Sequence, residues 1–122
     1  MIHCHIRIRI ILLLALVSAA PAQRQMENLT RGIVAVKQPD GGVYVGWRLF
    51  GTDPETVAFN LYRISGSGES VKVNEAPITG ATNYIDREAD INQPLKYFVR
   101  PVLYGKELAS SKRVSAWDNN YL

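Results

Sequence analysis

The sequence predicts an all-β domain, a sandwich or small barrel of about seven short strands, on three observations. Segments rich in Val, Ile, Tyr and Phe recur after residue 22 with apolar side chains at every second position. Clusters of Gly, Pro, Asp, Asn and Ser separate them at the short spacing such folds use. No segment beyond residue 22 carries the three-to-four-residue apolar spacing of an amphipathic helix.

The opening of the chain reads as an export signal and not as fold. Arg7 and Arg9 precede an unbroken apolar run, Ile10 to Val17, and Ala20-Pro21-Ala22 supplies small residues for cleavage. The run is too short for a spanning helix, which needs about 20 residues. Cys4 lies before the run, so a lipid anchor on it does not fit. The expectation is residues 1–22 as a signal peptide, residues 23–117 as the sandwich and 118–122 as the start of a linker. A secreted or periplasmic protein follows, with no membrane attachment after cleavage.

Removing the signal changes the chemistry. The full chain has 14 basic and 11 acidic residues; without Arg7 and Arg9, 12 face 11. With no basic run left, nucleic acid is not an expected partner. His3, His5 and Cys4 also leave, so the mature part has neither histidine nor cysteine. That excludes disulfides, thiol nucleophiles, histidine-dependent triads and histidine metal sites. An exported domain without disulfides rests on its apolar core alone.

The strands follow in order. Arg31–Gln38 is β-branched, and Pro39-Asp40-Gly41-Gly42 turns the chain into Val43–Leu49, predicting a hairpin. There Val43, Val45, Trp47 and Leu49 share one face, with Tyr44, Gly46 and Arg48 on the other. After the break at Gly51–Pro54, Val57–Ile64 sets Phe59 and Leu61 against Asn60 and Tyr62. Ser65–Gly68 turns into Ser70–Asn74, and Asn83–Asp86 is a further short strand. Leu95–Tyr104 is the longest, with Tyr97, Val99 and Leu103 opposite Phe98, Arg100, Val102 and Tyr104. Pro101 lacks a ladder donor there, which predicts a bulge or unpaired stretch. A last strand lies within Glu107–Trp117. Trp47 on the second strand and Tyr97 opening the sixth are placed as in fibronectin type III-like sandwiches, a subset of the immunoglobulin-like architecture. The expected core is Val43, Val45, Trp47, Phe59, Leu61, Tyr97 and Val99.

Arg24 to Asp53 (RQMENLTRGIVAVKQPDGGVYVGWRLFGTD) resembles the opening of the mature rhamnogalacturonan lyases of polysaccharide lyase family 11. The resemblance continues through FNLYR (59–63), TNYID (82–86), YFVRPV (97–102) and SAWDNNYL (115–122). It implies the small front sandwich of a pectin-degrading enzyme whose catalytic β-propeller binds calcium and cleaves the rhamnogalacturonan I backbone by β-elimination. The partners it implies are that propeller and, through it, pectic polysaccharide. The family's catalytic and calcium-binding residues lie in the propeller, so none is carried onto this chain. No catalytic, cofactor or metal residue is expected in the sandwich itself. A stand-alone carbohydrate-binding or protein-interaction sandwich is the alternative.

Four aromatic residues are candidate contact residues. Tyr62, Phe98 and Tyr104 turn away from the expected core, as a sugar-stacking platform, a contact surface for the propeller, or a cross-strand pair stabilising the sheet. Trp117, at the linker, favours contact with the next domain. Asp86-Arg87-Glu88-Ala89-Asp90 spaces acids like the start of a calcium loop. Ile91 and Tyr97 replace the required glycine and glutamate, so a solvated loop is expected. Asn28-Leu29-Thr30 matches a glycosylation acceptor.

Overall fold

The computed structural model describes residues 29–118; the signal segment, Asn28 and the linker beyond Asp118 lie outside the described residues. The described chain forms nine short strands: β1 (Val34–Lys37), β2 (Val43–Gly46), β3 (Ala58–Ser65), β4 (Ser70–Lys72), β5 (Ile78–Thr79), β6 (Asn83–Asp86), β7 (Leu95–Leu103), β8 (Lys106–Glu107) and β9 (Val114–Ser115). They build two antiparallel sheets. One has the order β1-β2-β6; the other runs β4-β3-β7-β8, with β5 on β3 and β9 on β7.

The β1–β2 hairpin turns where Pro39–Gly42 predicts it, with Lys37 opposite Val43. Gly42 has φ of 92°, and a Cβ there would stand 3.0 Å from the Asp86 carbonyl oxygen. Only glycine satisfies both conditions. All seven residues expected in the core are buried between the sheets, joined by Ile33, Ala35, Val57 and Leu95. Trp47 meets Phe59 edge-on, with ring centroids 5.5 Å apart.

The structure departs from the sequence reading at four places. Two strands are added to the expected seven: β5 is new, and the last strand is split into β8 and β9. The second strand ends at Gly46; the Arg48 N–H still donates to the Arg31 carbonyl ahead of β1 at 2.9 Å, but Leu49 beyond it is exposed and not on the core face. Tyr104, expected as the last residue of the sixth strand, lies beyond the end of β7 at Leu103, in a two-residue turn with Gly105. Finally, Pro101 causes no bulge in β7; it pairs in unbroken register opposite Phe59.

The proline acts on its neighbour instead. The Pro101 carbonyl accepts from the Leu108 N–H at 2.8 Å, so its missing donor faces the chain's last pass. That is where the last strand breaks between Glu107 and Val114.

Candidate interaction surface

Between the sheets, buried charged groups are matched in pairs, while the Trp47 indole N–H is left without a partner among the described residues. Asp86, 1% exposed at the end of β6, accepts from the Tyr97 hydroxyl at 2.8 Å. It also accepts from Arg63 Nη1 at 2.7 and 2.9 Å, so one carboxylate ties the smaller sheet to two strands of the larger. Burial, and then the bond to Asp86, push the Tyr97 hydroxyl pKa far above its ordinary value. The expected solvated loop is therefore corrected at Asp86, although Arg87, Glu88 and Asp90 are exposed.

A second pair closes the other end. Arg31 grips Asp53 with its two terminal guanidinium nitrogens, Nη1 and Nη2, lies 3.8 Å over the Phe50 ring, and fixes the Phe50–Asp53 turn. The hydrogen bonds from Arg31 hold Asp53 below the usual carboxylate range despite its burial. Among the described residues no group of three or more acidic, histidine or cysteine side chains could hold a metal ion.

The outward face of the larger sheet carries two of the four candidate aromatics. Tyr62 and Phe98 are direct cross-strand partners, and their rings stack with centroids 5.0 Å apart at an interplanar angle of 4°. Arg113 lies 5.5 Å over the Phe98 ring, and Phe98 is only 7% exposed. The Tyr62 hydroxyl and Asn60 Nδ2 both donate to Glu107 Oε1, while Arg100 pairs with Oε2 at 3.3 Å. Those bonds lower the Glu107 pKa; burial and the same contact raise that of Tyr62. This face is covered by its own side chains. Tyr104 is apart from it, 93% exposed at the β7–β8 turn.

The fourth aromatic belongs to the other sheet. Trp117 bridges in parallel to Val36, accepting from the Lys37 N–H at 2.7 Å and donating to the Ala35 carbonyl at 2.9 Å. Bridged residues share a face, and Ala116 packs on the core, so Trp117 stands on the outside of the smaller sheet, 63% exposed. Val36 pairs with Tyr44 and Tyr44 with Ile85, which completes one outward row: Trp117, Val36, Tyr44, Ile85. Val34 lies in the next row, opposite Gly46. A Cβ on Gly46 would come within 3.1 Å of the Tyr44 hydroxyl oxygen, so the glycine leaves room for the ring to lie along the sheet.

The sequence reading picked out Trp117 but missed Val34, Val36, Tyr44 and Ile85. A signal was present: Ile33–Val36 is apolar at every position, and a strand apolar on both sides needs cover on both.

Two sheets in the order β1-β2-β6 and β4-β3-β7-β8 form a fibronectin type III-like sandwich. In agreement, the chain superposes on a fibronectin type III-like protein from Clostridium thermocellum, with a TM-score of 0.60 at 22% identity over 75% of this chain and 92% of that one. That likeness concerns the fold alone. Residues 24–117 match the family described as the rhamnogalacturonan I lyases β-sheet domain, and the chain belongs to that family. It is 43% identical over 105 residues to the rhamnogalacturonan endolyase YesW of Bacillus subtilis (strain 168), covering 86% of this chain and 16% of that protein. A Bacillus licheniformis rhamnogalacturonan lyase of family PL11 superposes with a TM-score of 0.62 at 46% identity, over 76% of this chain and 15% of that one. The chain thus spans about a sixth of the curated relative's length and is homologous to the N-terminal domain of these lyases.

Proposed function

We propose that the chain is the N-terminal accessory sandwich of a secreted rhamnogalacturonan lyase. Residues 1–22 would be its signal peptide, 23–117 the sandwich, and 118–122 the start of a linker to a catalytic β-propeller. The family match across 24–117, over a segment that covers 16% of the relative, carries the reading. The parent enzyme would cleave the rhamnogalacturonan I backbone of pectin by β-elimination, with calcium held in the propeller.

The sandwich's own side chains support a non-catalytic role. Elimination beside a uronate carboxylate needs a base for the proton and donors or cations for the charge that develops. Here the charged groups with displaced pKa values, Asp53 and Glu107, are engaged in structural bonds. Asp86 is spent on Arg63 and Tyr97. The sandwich is left to pack on the catalytic body and hold it steady.

The test exchanges the matching segment of the Bacillus subtilis endolyase for residues 24–117 of this chain. The chimera should release unsaturated uronate products, followed by their ultraviolet absorbance, and should resist heat better than the endolyase lacking the segment. A chimera no better than the deletion overturns the reading.

A further inference from the structure

A sheet face turned to water normally alternates polar side chains outward, and the outside of the smaller sheet does not. Val34, Val36, Tyr44, Ile85 and Trp117 meet there from four separate passes of the chain, in register. All but Val36 are exposed, and Val36 is half-buried. Together they form one contiguous apolar patch across the sheet, and apolar surface gathered in this way, with a polar rim, marks a contact site. Polar groups sit at its ends: Arg48, and the Lys37–Asp118 pair at 3.2 Å. An apolar centre with a charged rim is the anatomy of a protein interface, and Trp and Tyr are the usual anchors of one.

We infer that this face docks the polypeptide that follows the sandwich in a full-length lyase; the inference rests on the function proposed above. Position in the chain identifies the occupant. The homologous domain is N-terminal and makes up 16% of the relative, so the bulk of such an enzyme comes after it. In this chain residues 116–118 run beside β1 along the edge of the patch, and Trp117 is part of it. A body tethered within a few residues of a patch meets it at an effective concentration of order millimolar, so a modest contact suffices. The larger sheet offers no equal, because its aromatic pair is already covered by Arg113 and by the bonds to Glu107.

The test compares the chimera described above with the 122-residue chain alone. Tyr44→Lys with Ile85→Lys, and the milder Tyr44→Thr with Ile85→Thr, remove the apolar centre while keeping strand-compatible positions; Lys96→Glu on the opposite sheet is the control. In the chimera the Lys pair should lower the sandwich's thermal midpoint by at least about 5 °C and separate it from the rest of the enzyme. The Thr pair should act in the same direction, the control should do neither, and the chain alone should shift far less. Equal shifts in chimera and chain overturn the inference. If Lys96→Glu alone uncouples the bodies, another face docks and the functional proposal survives. A wild-type chimera that melts as two independent bodies removes that proposal too. A dimer of the chain alone that Ile85→Lys dissociates makes a second copy the occupant and also overturns the inference.

Discussion

Asp86 shows how much one side chain can decide. It is the only group linking β6 to both Arg63 and Tyr97 among the described hydrogen bonds. Removing one partner of a buried pair leaves the other charge unpaired, so Asp86→Ala should lose about 3–5 kcal/mol. For a small domain stable by about 5–15 kcal/mol that is a large share. Tyr97→Phe removes only a hydroxyl and should lose about 1–3 kcal/mol. Urea unfolding of both variants and their double checks the coupling, which should make the double less than additive. pH follows from the same groups. Asp53 and Glu107 have depressed folded pKa values, so their contribution is present above the unfolded value of about 4 and fades as pH falls through the folded one. Tyr62 and Tyr97 are raised, so theirs is complete below about pH 10 and lost as pH climbs beyond it. Thermal midpoints should therefore plateau between these limits and fall on both sides. None of this was legible in the sequence, where Asp86 reads as one acid of a loop; its partners are 11 and 23 residues away and meet only through the sheets.

At the scale of elements, the hairpins were legible where turn chemistry is local, as at Pro39–Gly42. The first residue of the β7–β8 turn was not, because Tyr104 occupies it with φ of 50°, a conformation usually left to Gly or Asn. A β-forming residue there extends the apparent strand by one. Tyr104→Gly should relieve about 1 kcal/mol of backbone strain and raise the thermal midpoint by a few degrees, since the exposed ring packs on nothing that would be lost. Pro101 was read as a defect of its own strand, yet its effect falls on the neighbour its missing donor faces. The Tyr62–Phe98 pair behaves as a cross-strand brace, a reading the sequence held among three. Titration of the chain with rhamnogalacturonan oligosaccharides should give no saturable binding on this face. Saturable binding lost in Tyr62→Ala would reverse that.

Across the whole molecule, the last described segment laces the sandwich shut. β9 pairs with β7 in the larger sheet, Ala116 donates its N–H to the Leu95 carbonyl at 2.9 Å, and Trp117 reaches across to β1 in the smaller sheet. The two tryptophans consequently report different environments, Trp47 in the core and Trp117 in water. Iodide should quench the emission of the folded chain in part, and Trp117→Phe should abolish most of that quenching. The sequence by itself determined the all-β class, the hairpin and the seven core residues, because alternation and turn residues act between near neighbours and report which side of a strand is apolar; the family it carried as a resemblance of residue blocks, which the family match then bore out. Only the tertiary structure decided which outward face stays open. Outwardness is read along one strand, whereas a patch arises from registers between strands distant in the chain: Val36, Tyr44, Ile85 and Trp117 become one row only when β1, β2, β6 and the chain's end are laid side by side.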